Sequence, residues 1–197
     1  MSRLAHSFFS RLRAAGVSDK LVRFDTSMDP NNPLCASLQA KIHEQIDRME
    51  HLIRAVPEGR TDWTPPISGA WPLGILLGHL LDCLAGFCAA LYAAAPDRLA
   101  SLTALQQLPV NHNCLPGEAA SRIAAYRTGI DHGFIAIRDS NLEARIPTVF
   151  VKNGETLLTL LLGNLEHLIN HKHQLFMYLK MMGVDVRSTD LYSFRTE

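Results

Sequence analysis

Excess charge of either sign is the first thing this sequence lacks. It has 19 Lys and Arg against 19 Asp and Glu, for a formal net charge of zero and a pI near 7.1. A nucleic-acid partner is therefore not expected, because phosphate binding needs a basic face. Cysteine is also scarce. Cys35, Cys83, Cys88 and Cys114 form no CxxC pair, and no secretory signal precedes them. They read as reduced thiols of a cytoplasmic protein rather than as a disulfide framework. Long unbroken apolar runs are missing too. The most apolar stretch, Leu73–Ala95, is interrupted by Gly74, Gly78, His79, Asp82 and Gly86, which argues against a membrane span of about eighteen residues or more. There is no internal repeat and no low-complexity tract.

What the chain does have is apolar periodicity. Its 197 residues, 47% hydrophobic and 19% charged, suffice for one domain with a sizeable core. From Pro33 to Val56, Leu34, Leu38, Ile42, Ile46, Met49, Ile53 and Val56 recur at helical spacing and predict an amphipathic helix. His43, Asp47, Glu50 and His51 fall on its solvated flank. Pro57-Glu58-Gly59 ends it, and a turn-rich segment then carries both tryptophans. Trp63 and Trp71 either plug the end of the core or wall a pocket. Pro72 opens a second predicted helix reaching Ala94. In the connection 96–116, His112 and Cys114 lie two apart, too isolated to define a metal site. A third helix is predicted over Pro116–Asp139, with Arg122, Arg127, Asp131 and Arg138 as surface charges. The extended piece Arg145–Gly154 ends in an Asn-Gly turn and leads into a fourth helix, Glu155–Gly183, about seven turns long.

These elements predict an all-α, antiparallel four-helix bundle over residues 28–184. An N-terminal extension (1–27) precedes it and a polar, loosely docked tail (185–197) follows. The extension carries Arg3, Arg11 and Arg13, several serines and no acid before Asp19. That composition fits an amphipathic presequence or an N-terminal helix packed on the domain.

Histidine carries the chemistry. His167 and His171, four apart on the fourth helix, stand one above the other on an apolar face. His79 shares a face of the second helix with Ile75, Leu76, Cys83 and Gly86. Buried imidazoles need partners, so these are either hydrogen-bonded core residues or ligands. Three neutral nitrogen donors make the ligand set of an open catalytic metal site, where water or substrate takes the vacant position. Gln174 and Tyr178 fall on the same face, placed to contact metal-bound water or substrate. His173 lies about 120° from that face and Glu166 about 100° from His167, so neither is a ligand candidate. Asp82 either orients an imidazole or is a helix-surface carboxylate. Gly78 either permits a close backbone approach or is tolerated at a cost of about 1 kcal/mol. No HExxH motif is present, so a zincin-like peptidase would lack its general base.

The segments Trp71-Pro-Leu-Gly-Ile-Leu-Leu-Gly-His79-Leu and His167-Leu-Ile-Asn-His171-Lys-His-Gln174-Leu, the latter followed by Leu-Lys-Met-Met-Gly183, resemble the DinB/YfiT-like four-helix proteins. Members of that family are described as metal-dependent hydrolases. The resemblance spans residues 34–184 in family order and implies that His79, His167 and His171 bind a divalent metal, zinc or nickel foremost, with iron in some relatives. Pro72 stands where the family favours a small polar residue, and His173 where it often has glycine; neither departure removes a ligand. Three functions follow from the resemblance. The first is transfer of a low-molecular-weight thiol to a small electrophile. The second is hydrolysis of a small ester or amide, with Asp82 the only nearby acid. The third is metal or ligand binding without turnover by a stress-response module. A homodimer is implied as well, and a small-molecule substrate, with Trp71, Asp82, Gln174 and Tyr178 either bordering its pocket or supporting the ligands from behind.

Overall fold

The computed structural model describes residues 32–148, 151 and 153–192; the 1–27 extension lies outside the described residues. Four long helices carry the fold: α1 (Pro33–Arg54), α2 (Leu73–Ala94), α4 (Pro116–Ala136) and α5 (Leu157–Met181). Between α2 and α4 stands the short α3 (Leu102–Gln106), and α6 (Ser188–Tyr192) follows α5. A 3-10 turn, Asp139–Glu143, and two-residue strands β1 (Arg145–Ile146) and β2 (Glu155–Thr156) join α4 to α5. The strands pair antiparallel, Arg145 opposite Thr156 and Ile146 opposite Glu155.

Local chemistry sets the helix ends. Proline opens both α1 and α4, where a missing N–H costs nothing. Thr156 caps α5, its hydroxyl accepting from Thr159 N at 3.1 Å. The α1 stripe Leu38, Ile42, Ile46, Met49 and Ile53 is buried. By contrast, α2 is buried almost all round, its glycines, His79 and Asp82 included. A helix apolar on every side belongs inside a bundle. Although α2 is long and apolar enough to cross a membrane, most of it is enclosed by its neighbours.

α1 packs on α4 and α5, and α2 packs on the same two, so α1 and α2 face each other diagonally. Directions follow from the contacts. His79 meets His171 and Cys83 meets His167, while the Cys83 carbonyl accepts from Asn164; α2 and α5 are antiparallel. His43 meets Asp131 and Asp47 meets Arg127, so α1 and α4 are antiparallel too. Between α2 and α4, Cys88 lies at Tyr126 and Leu91 at Gly133, so that pair shares a direction. The bundle is all-α as expected, but up-down-down-up rather than alternating throughout, because the long 95–115 connection carries the chain back before α4 begins.

Several polar residues read as solvated flank or surface charge instead join helices. Asp131 Oδ1 accepts from Gln39 Nε2 at 2.7 Å and contacts His43 Nε2 at 2.6 Å, while Arg127 donates to Asp47 at 2.5 Å. After Val184 the chain is not loosely docked as far as Tyr192. Val186 and Leu191 are buried, and Asp190 lies 2.7 Å from His51 of α1. Two isolated apolar residues in a polar stretch give no periodicity, so this packing left no pattern to read.

Candidate metal centre

α2 and α5 approach closely where glycine leaves room. A Cβ on Gly86 would fall 2.6 Å from Asn164 Oδ1; without one, Asn164 Nδ2 donates to the Cys83 carbonyl at 2.6 Å. One turn away, the same approach brings three imidazoles together. His79 Nε2 lies 3.0 Å from His167 Nε2 and 3.1 Å from His171 Nε2. Zinc with nitrogen ligands at about 2.0–2.1 Å in a tetrahedron needs nitrogens about 3.3 Å apart, so the spacing fits.

Hydrogen-bond polarity settles which nitrogens face inward. Tyr178 Oη donates to the Trp71 carbonyl at 3.1 Å, so it accepts from Gln174 Nε2 at 3.1 Å. That orients the Gln174 amide with Oε1 toward His171 Nδ1, 2.9 Å away. On the other side, Asn111 Nδ2 donates to Asp82 Oδ2 at 3.0 Å, leaving Oδ1 to accept from His79 Nδ1 at 2.5 Å. Both Nδ1 atoms are thus protonated donors, and the Nε2 atoms of His79 and His171 meet lone pair to lone pair. His167 alone of the three has tautomeric freedom, since among the described residues its Nδ1 meets only the Cys83 sulfur, at 3.7 Å. A shared proton could relieve the contact, but burial, the largest cause in each, pushes His171 down to about 4 and lowers His167 as well. A cation at the common point relieves it directly. The donor set therefore fits a divalent metal, with the outer nitrogens of His79 and His171 held by neighbours in the way metal-bound imidazoles usually are.

The sequence-predicted residues divide into two groups. His79, His167 and His171 come together as a group able to hold a metal ion. Asp82, Gln174, Tyr178 and Trp71 surround it without offering it a ligand. Asp82 is buried and acts on His79 through Asn111. Gln174 grips the outer nitrogen of His171 and Tyr178 supports Gln174, so both stand behind the ligands, the second of the two places open to them, pocket wall or ligand support. Trp71 stacks on His171 with centroids 5.8 Å apart and meets His79 edge-on at 4.9 Å. Trp63 packs edge-on against Tyr178 at 5.5 Å. His173 points elsewhere, against Phe176.

Asn111 is the residue the sequence concealed. It sits in a loop with φ of 56°, a left-handed conformation that asparagine tolerates better than most residues. Its backbone N–H donates to Gly78 O at 3.1 Å. Gly78 does permit a close backbone approach: a Cβ there would lie 2.1 Å from His112 O. A glycine one residue before the ligand and an asparagine in a loop were the available signals, and neither specifies the other.

Fold and site together define a helical bundle with a three-imidazole centre between two of its helices. The same fold occurs in a DinB-like protein of Bacillus subtilis, YjoA, at a TM-score of 0.57 and 17% identity, over 75% of this chain and 92% of that one. The chain thus has a DinB-like fold. No family profile matches its sequence, and no curated protein matches it.

Proposed function

We propose that this protein is a metal-dependent enzyme that joins a low-molecular-weight thiol to a small electrophile, with a divalent cation held by Nε2 of His79, His167 and His171. The observation that carries the reading is the 3.1 Å contact between two Nε2 atoms whose Nδ1 atoms are both committed as donors. Such a cation, when bound, supplies Lewis acidity and lowers the pKa of a coordinated thiol or water.

The chain's own residues favour a thiol over water. Asp82, the carboxylate beside the group, accepts from Asn111 on the Nδ1 side of His79, away from the inward nitrogens, and is poorly placed as a base. A thiol with an ordinary pKa of about 8.5 needs little help to ionise, whereas water needs far more. In the transfer the thiol proton passes to solvent and sulfur bonds to the electrophilic carbon, while the leaving group departs with its electron pair. Asn111 and Gln174 keep two imidazoles in the ligating tautomer, and Trp71 covers one side of the group against water.

Elemental analysis of protein purified without chelator, beside His171→Ala, tests the centre: metal should be present in the first and strongly depleted in the second. A panel of small thiols incubated with a bimane-type electrophile tests the reaction, with metal-dependent conjugation expected. Metal-dependent ester cleavage without conjugation would replace the proposal by a hydrolase. Bound metal with neither activity would leave a binding protein, and no bound metal would remove the basis for all three.

A further inference from the structure

The loop that carries Asn111 also carries a second cluster of ligand-type side chains. It is held to α2 on both flanks of His112, by Asn111 N to Gly78 O at 3.1 Å and Cys114 N to Gly74 O at 3.0 Å. Pro116 then starts α4, and Glu118 in its first turn reaches back over the loop. Glu118 Oε1 lies 2.8 Å from His112 Nε2 and 3.4 Å from Arg122 Nη1. Cys114 is fully buried, its Sγ 3.4 Å from the Leu115 carbonyl. One donor atom from each of His112, Cys114 and Glu118 lies within 4.8 Å of the other two.

Hydrogen bonding among these three residues leaves one nitrogen unexplained, and Arg122 Nε beside them is a second buried nitrogen without a partner among the described residues. His112 Nδ1 is buried and has no hydrogen-bond partner among the described residues, a state that costs free energy and calls for an account. We propose that His112, Cys114 and Glu118 form a second cation site, independent of the three-imidazole centre and suited to zinc, with one imidazole nitrogen, one thiolate sulfur and one carboxylate oxygen. Zinc accepts all three donor types in a single shell, whereas calcium and magnesium prefer oxygen throughout. Closing the remaining gaps, none wider than 4.8 Å between donor atoms, is within reach, because the His112 and Glu118 side chains are 29% and 38% exposed. Arg122, released from Glu118, keeps its bond to Tyr126 Oη at 2.9 Å. Binding displaces the Cys114 thiol proton to solvent. An ion here would tie the loop to α4 one residue away from Asn111, and so steady the group that orients His79.

Cobalt(II) distinguishes the two sites, because only a thiolate ligand gives a near-ultraviolet sulfur-to-cobalt charge-transfer band. Titration of the reduced, chelator-treated full chain should show that band together with visible ligand-field bands. The charge-transfer band should survive His167→Ala/His171→Ala and also Cys83→Ser, which removes the sulfur beside the first centre. It should vanish in Cys114→Ser while visible bands from the first centre persist. His112→Ala, a partly exposed position that spares the core should Cys114→Ser misfold, should weaken the thiolate-bearing site by about tenfold or more. Visible bands without charge transfer in the wild type would overturn this site and leave the first intact. A band lost in Cys83→Ser but kept in Cys114→Ser would likewise overturn it.

Discussion

Asn111 does for His79 what Gln174 does for His171: a side-chain amide, its own orientation set by a further partner, accepts from the outer ring nitrogen. Asn111→Ala removes that acceptor and also takes a donor from Asp82. Loss of such a partner typically costs about 10–100-fold in metal affinity, and competition against a chromophoric chelator should show a drop of that order. Unchanged affinity would mean that packing against Trp71 alone holds the ring. A second expectation concerns acid. Burial sets His171 at about 4 in the folded chain, against an ordinary 6.5. The folded value lies below the unfolded one, so the fold favours the neutral ring. That contribution is complete above about 6.5 and is lost as pH falls toward about 4. With metal removed, the urea midpoint should decline through this window, and less steeply in His171→Gln; identical slopes would assign the decline to carboxylates. The three histidines were legible in the sequence because helical spacing and apolar company fix which way a side chain faces. Asn111 was not, since a loop has no period from which orientation can be read.

At the scale of elements, α2 is the one on which everything bears. Its small residues are the places where neighbours come close, and Gly78 is the clearest test. A Cβ there would meet His112 O at 2.1 Å and His112 N at 2.8 Å, and backbone cannot rotate aside as a side chain can. Gly78→Ala should therefore cost about 1–3 kcal/mol, as overpacking usually does. It should also weaken metal binding, because the displaced loop carries Asn111. Gly163 in α5 is the natural control, with nothing within 4 Å of its would-be Cβ. Alanine there should stabilise the protein by about 1 kcal/mol through helix propensity alone. Urea denaturation of both variants, with chelator titration of the first, checks the pair; equal and small effects would show that the loop yields freely. The long helices themselves were legible, since proline and turn residues punctuate them and their stripes keep one period. α6 was not, because five residues with one buried leucine carry no periodic signal.

At the scale of the whole molecule, a stripe says which side of a helix is buried but not which helix covers it. That is why the all-α bundle could be read from the sequence while its up-down-down-up order could not. Lys172 shows what the order produces. It follows His171 in the chain yet lies on another face of α5, 3% exposed, where α1, α5 and α6 meet. Its Nζ donates to Gln45 Oε1 at 2.8 Å and to the Leu191 carbonyl at 3.4 Å. Burial foremost, then the Arg48 charge, lower its pKa from 10.5 to about 8. A folded pKa below the unfolded one means that the fold favours the neutral amine. The stabilising contribution is therefore present in full above about 10.5, and it is lost as pH falls through about 8. Lys172→Met carries no such dependence. The stability of the methionine variant relative to wild type should stand highest below pH 8 and shrink steadily as pH rises toward 10.5, whatever its absolute sign. Denaturant midpoints for both proteins across that range measure the gap. A constant gap would mean that the ammonium stays hydrated, and that 185–192 opens readily enough to admit water to the junction it covers.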